Sequence, residues 1–144
     1  MGFTANFSDF KRFKGDLDKL TRTLQERERT AVNLAGNAYK TDVQAIIAVG
    51  KEHGGTLRRS VHVEPSEAGG RPISLVGSNA PYARRIEFGF WDMTDSLGRH
   101  FYQRPQPAWR PAFDLNKAKY GRIMVDYMNA TNTATAGDFV MGEY

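Results

Sequence analysis

The sequence predicts an α+β domain in which a long N-terminal helical region and a C-terminal helix pack on a small, mainly antiparallel β-sheet. Three observations carry that prediction. Apolar residues recur at helical spacing from Phe7 to Val49, short alternating runs broken by glycines fill the middle, and helical spacing returns after a proline-rich segment near residue 110.

In the first helical region, Phe10, Phe13, Leu17, Leu20 and Leu24 are spaced alternately by three and four residues, which places them on one face. Ser8 or Asp9 offers an N-cap, and Gly15 weakens the helix by about 1 kcal/mol relative to alanine. The charged stretch Gln25-Glu26-Arg27-Glu28-Arg29 suits a solvated surface. The stripe resumes through Val32, Ala35, Tyr39, Val43, Ile46 and Val49, so one bent helix or two helices fit equally. Being short and interrupted, the stripe favours packing on the chain's own sheet over a coiled-coil seam. A break falls at Gly50 to Gly55.

Thr56 to Ser60 reads as a single turn with Leu57 inward, and Ser60 to Glu64 as a half-exposed strand that ends at Pro65. Ser66 to Pro72 is then a flexible loop leading into a second strand, Ile73 to Val76, which pairs antiparallel with the first. Gly77-Ser78-Asn79 gives a turn, Pro81 suits a helix start, and Tyr82, Ala83 and Ile86 form an apolar face. Gly89 stops that short helix. From Phe90 to Tyr102 the chain is aromatic at both ends, with a turn signal at Asp95 to Gly98. It reads equally as a second hairpin or as an arm that binds a neighbouring subunit. Pro105, Pro107 and Pro111 impose extended and turn conformations, with Trp109 and Phe113 as anchors and Arg110 placed to pair with Glu87. The last helix runs from Ala112 through Leu115, Ile123 and Tyr127. Residues 1–128 form one domain, and residues 129–144 read as a flexible or extended tail because Asn129 to Gly137 lacks periodicity and charge.

At 144 residues with 40% hydrophobic and 25% charged residues, the composition is that of a soluble globular protein. The absence of cysteine excludes disulfides and thiol chemistry. No apolar run approaches the roughly 20 residues needed to span a bilayer, and the N-terminus has no secretory-signal layout. His53, His62 and His100 stand apart without metal-binding spacing. There is no nucleophile elbow, and Gly69-Gly70 lacks the lysine of a phosphate loop. Catalysis, cofactors and metals are therefore not expected. The net charge of +4 is mild, and its arginines occur in pairs at most, so solvated or subunit-pairing roles outweigh DNA binding.

Three segments carry a family resemblance: Val76-Gly-Ser-Asn-Ala-Pro-Tyr-Ala-Arg-Arg-Ile-Glu-Phe-Gly89, the earlier Gly55-Thr-Leu-Arg-Arg-Ser-Val61, and the later Pro105-Gln-Pro-Ala-Trp-Arg-Pro-Ala-Phe113. Their wording and order resemble the tailed-phage head–tail joining family, the neck or tail-completion proteins similar to the lambda-type minor tail protein Z. Phe90 replaces the family's usual threonine, and the Trp91 to Arg104 connection is longer than usual. The resemblance implies a non-enzymatic virion protein made in the host bacterial cytoplasm. It would form a homo-oligomeric ring in the neck, of sixfold or alternatively twelvefold symmetry, touching head-completion, tail-terminator or tail-tube proteins, with phage DNA passing through the lumen. The alternatives are a tail terminator or head-closure protein, or more distantly a basic nucleic-acid-binding module. Within that expectation Phe90, Trp91, Phe101, Tyr102, Pro107 and Trp109 are candidates for the subunit interface. Arg58, Arg59, Arg84, Arg85, Arg110 and Glu87 are candidates for charged contacts or the DNA lumen.

Overall fold

The computed structural model describes residues 7–48 and 55–140, with side chains described to residue 132. The N-terminal residues before Phe7, Val49 at the end of the predicted stripe and the glycine break before Gly55 lie outside the described residues. The element order is α1 (Phe7–Ile46), α2 (Thr56–Ser60), β1 (Val61–Ala68), β2 (Arg71–Ser78), α3 (Ala83–Phe88), β3 (Phe90–Thr94), β4 (His100–Gln103) and α4 (Trp109–Val140). This is the α+β architecture the sequence predicts, but the strands form two separate antiparallel hairpins rather than one sheet.

The helix α1 is a single element of 40 residues, about 60 Å long at 1.5 Å per residue. Its C-terminal half builds the core. Val43 and Ile47 pack with Leu57, Val61, Ala83, Ala108 and Ala112, and Tyr39, Val76, Ile86 and Trp109 close around them. The inward residue at the end of α1 is thus Ile47, while Ile46 is exposed, one position off the predicted stripe. The N-terminal half behaves differently. Phe7, Phe10, Phe13, Leu17, Leu20 and Leu24 are all exposed, at 72%, 63%, 61%, 46%, 51% and 36%. The expectation that this stripe packs on the chain's own sheet fails here, because the hairpin β1–β2 crosses α1 further along, at Gly36. A Cβ on that residue would lie 2.8 Å from Ser74 Cβ and 3.2 Å from Val63 Cγ1, so the missing side chain is what allows helix and hairpin to meet.

The first hairpin is longer and tighter than predicted. β1 runs through Pro65, and Ala68 pairs with Arg71 around Gly69 and Gly70, both at positive φ (58° and 75°). Those signs are what a two-residue type I′ turn requires. Proline is tolerated because in a two-stranded ribbon alternate N–H groups have no ladder partner to lose.

The helix α4 runs antiparallel to α1. Lys119 Nζ donates to Asp42 Oδ1 at 2.8 Å, Tyr120 Oη to Asp42 Oδ2 at 2.7 Å, and Arg27 Nη1 to Asn132 Oδ1 at 3.3 Å. Its inward face carries Ala112 and Tyr120, whereas Leu115 is 79% exposed, opposite to its predicted side. The helix also continues through residues 129–140, part of the stretch 129–144 that the sequence suggests as a flexible or extended tail. Ala130 favours helix, and Thr131 bonds back to the Tyr127 carbonyl at 3.0 Å, meeting its own polar need within the helix.

The Asp42–Tyr120 pair ties stability to pH. Burial first, and the hydrogen bond to Asp42 second, push the Tyr120 hydroxyl well above its ordinary pKa of 10.0. Asp42 is raised by burial, but the hydrogen bonds from Lys119 and Tyr120 and the Lys119 charge outweigh that and hold it below 3.8. The tyrosine contribution is complete below pH 10 and is lost as pH rises beyond it. The aspartate contribution is complete above pH 3.8 and is lost as pH falls below it. Urea melts across pH should therefore show stability falling at both ends, with both slopes flattened in Asp42→Asn. Slopes unchanged in the variant would contradict the pairing.

Candidate assembly interface

The interface candidates fall on two surfaces around the start of α4. The helix begins without a capping side chain of its own, since Ala108 is the residue whose carbonyl accepts the first helical bond, from Ala112 N at 3.1 Å. Glu87, the penultimate residue of α3, supplies the cap from a distance. Its Oε2 accepts the Ala108 N–H at 2.7 Å and the Trp109 N–H at 3.4 Å, and its Oε1 accepts the Arg110 N–H at 3.3 Å. The next residue, Pro111, has no N–H to satisfy, so the four unpaired donors of a helix start are fully accounted for. Glu87 is 9% exposed. Its carboxylate is engaged inside the fold, next to the positive end of the α4 dipole. It pairs with Arg110 through the backbone, while the Arg110 guanidinium lies 3.6 Å from Asp114. Nothing in the local sequence marks this role. The signal that could have found it is a helix start bearing proline in its first turn and no Ser, Thr, Asp or Asn at the cap.

Beside this cap, Tyr39, Phe88, Trp109 and Phe113 line an open, mainly apolar groove of about 680 Å³, with Arg84, Arg110 and Asp114 also contributing. Tyr39 is fixed by donating its hydroxyl to the Trp109 carbonyl at 2.8 Å and by edge contact with the Phe113 ring at 5.8 Å. Burial, then the charges of Glu87 and Asp114, raise its pKa and keep it a neutral donor. Trp109 is half-buried against the core and forms a wall of the groove, whereas Pro107 is exposed.

The second surface is the hairpin β3–β4. It leaves α3 at Gly89, with φ 67° and ψ −178°, and its turn is held by Asp95. Oδ1 of that residue accepts the N–H groups of Leu97 and Arg99 at 2.9 Å each. These bonds, with a further one from Arg99 Nε, hold the Asp95 carboxyl below its ordinary pKa. A bulge between Phe90 and Met93, where Asp92 adopts φ 55°, turns successive side chains outward. Trp91 and Tyr102 pack together on the exposed face, ring centroids 5.4 Å apart and planes tilted by 43°, with Trp91 83% exposed. Phe90 is half-buried opposite Gln103, and Phe101 pairs with Met93. Of the aromatic pairs available across this hairpin, the one that forms is Trp91 with Tyr102. Phe88 adjoins both surfaces, since it also lines the hollow beside Trp91 and Tyr102.

The candidate arginines divide in the same way. Arg59, Arg84, Arg85 and Arg110 are exposed. Arg58 is turned inward, its Nη2 donating to the Ile47 carbonyl at 2.6 Å, where it ties the end of α1 to α2.

An α+β scaffold that caps one helix from another and leaves an aromatic hairpin, an apolar groove and half a helix exposed is built around contact surfaces. A family model described as "Bacteriophage HK97-gp10, putative tail-component" matches residues 11–89, more than half of the chain, and the protein belongs to this HK97-gp10-like family of phage tail components. The match takes in α1 from Lys11 onward, α2, both strands of the first hairpin and α3, and ends at Gly89, just before the aromatic hairpin. Comparison with curated proteins matches nothing, nor does comparison with solved structures, so the likeness to minor tail protein Z finds no counterpart there. Among the described residues, no helix is long and apolar enough to cross a membrane.

Proposed function

We propose that this protein is a structural, non-catalytic component of the virion neck, forming a ring that joins the head and its portal connector to the tail. The observation that carries this reading is a complementary pair of surfaces on one chain. The paired Trp91–Tyr102 knob projects from β3–β4, and the groove lined by Tyr39, Phe88, Trp109 and Phe113 stands open beside it. A knob of one copy seated in the groove of the next makes a heterologous contact, the kind that closes into rings. Aromatic side chains in an apolar pocket are the usual anchors of such contacts. The exposed Arg59, Arg84, Arg85 and Arg110 are then available to acidic neighbours or to DNA in the lumen, a contact that would weaken steeply with salt.

The expected result for Trp91→Ala combined with Phe101→Ala is a folded chain that no longer forms rings, because both residues lie outside the core. Sedimentation velocity reads this directly, and an unchanged assembled mass would remove the hairpin from the interface. Whether purified rings bind tail tube or portal complex assigns the layer of the neck, and distinguishes head–tail joining from the tail-terminator and head-closure alternatives.

A further inference from the structure

The N-terminal half of α1 carries an apolar seam that the fold leaves uncovered. With Phe10 at position a of a heptad, Leu17 and Leu24 are also a positions, and Phe13 and Leu20 are d positions. This is the 3.5-residue repeat of a helix that packs against another helix. All five side chains are at least 36% exposed, while the b, c and f positions from Lys11 to Glu26 are polar or glycine. The repeat ends at Arg27, a d position, where α4 takes over as the packing partner through Asn132. Three exposed phenylalanines, of roughly 150–250 Å² each when fully buried, give this half-helix an apolar patch large for a surface left to water.

We infer that this seam docks against the same segment of a second copy, with the two helices parallel. Charge and register both favour that occupant and direction. In a parallel pair Asp9, a g position, faces Lys14 of the second copy, an e position, and from Phe10 to Leu24 each a or d residue packs in the layer of its own counterpart, like charges meeting only beyond the last apolar layer, at Arg27. An antiparallel pair that matched Leu17 with Leu20 would instead match Phe13 with Leu24, and Asp9 would no longer face Lys14. The inference stands apart from the neck assignment, since it needs only the exposure and spacing of α1.

The chain has no cysteine, so single-cysteine variants report on this contact without interference. Under mild oxidation, Leu17→Cys and Leu20→Cys should form inter-chain disulfides several-fold faster than Arg22→Cys on the opposite face. The helicity of the full chain should also rise with concentration, because a free-standing segment of this length is only marginally helical. Leu17→Glu with Leu20→Glu should abolish the concentration dependence while leaving the thermal transition of the domain in place. Trp91→Ala with Phe101→Ala should leave the disulfides unaffected, which separates this contact from the hairpin hook. Equal rates on the two faces, or concentration-dependent helicity that survives both glutamates, would overturn the inference. Preferential linkage of Phe13→Cys to Leu24→Cys in a mixture would overturn the parallel arrangement.

Discussion

Replacing Gly89 with alanine is expected to detach the aromatic hairpin from the domain and to lower the melting temperature sharply. The residue sits at φ 67° and ψ −178°, a region open essentially to glycine alone, so a side chain there costs about 1–3 kcal/mol in backbone strain. Space compounds the strain. A Cβ at this position would lie 2.6 Å from the Gln103 carbonyl oxygen and 2.7 Å from the Pro105 nitrogen. Both are backbone atoms and cannot rotate away, so β4 and the segment leading to α4 must move. The neighbouring Gln106 N–H to Ile86 carbonyl bond, at 2.8 Å, reports on that movement. Hydrogen exchange should show the Gln106 amide losing protection in Gly89→Ala, alongside the drop in melting temperature. Retained protection with an unchanged melting temperature would mean that the junction tolerates a side chain and that the hairpin's position is not fixed there.

Glu87→Ala is expected to be comparably damaging by a different route. The substitution leaves the N–H groups of Ala108, Trp109 and Arg110 without their acceptor at a buried helix start. Hydrogen bonds to a charged group contribute about 1.5–3 kcal/mol and a lost cap about 1 kcal/mol. A loss of about 3 kcal/mol is therefore expected, or about 6–12 °C in melting temperature for a chain of this size. Glu87→Gln should fall between the two, since its amide keeps one acceptor oxygen but turns a donor toward other donors. The groove should suffer with the cap, because Trp109 and Phe113 stand on the first two turns of α4. A melting temperature within 1 °C of the parent for Glu87→Ala would show that solvent replaces the carboxylate without cost.

Much of this architecture is visible in local sequence chemistry. Gly89 is legible as a helix stop, the Asp95 to Gly98 segment as a turn, and the chain from Val61 to Val76 as paired strands, since each depends on residues close together in the chain. What local reading misses depends on partners distant in sequence. Glu87 looks like a surface carboxylate until α4 is laid across it. The seam from Phe10 to Leu24 has the same spacing whether its partner is the chain's own sheet or a second molecule, and only the fold shows that the sheet crosses at Gly36 instead. The stretch after Asn129 looks unstructured because Thr and Asn compete with the helix backbone when considered alone. Alongside α1, with Thr131 bonding back to Tyr127 and Asn132 meeting Arg27, the same residues continue α4. The exposed hairpin is the intermediate case: its aromatics and turn are plain in the sequence, but the bulge that brings out Trp91 is not.

The account rests on self-assembly, and the mass of the purified wild-type chain in solution tests it most directly. Native mass spectrometry over a range of concentrations should find closed assemblies at a fixed multiple of the 16.2 kDa protomer. A protomer that stays single at every concentration would contradict it.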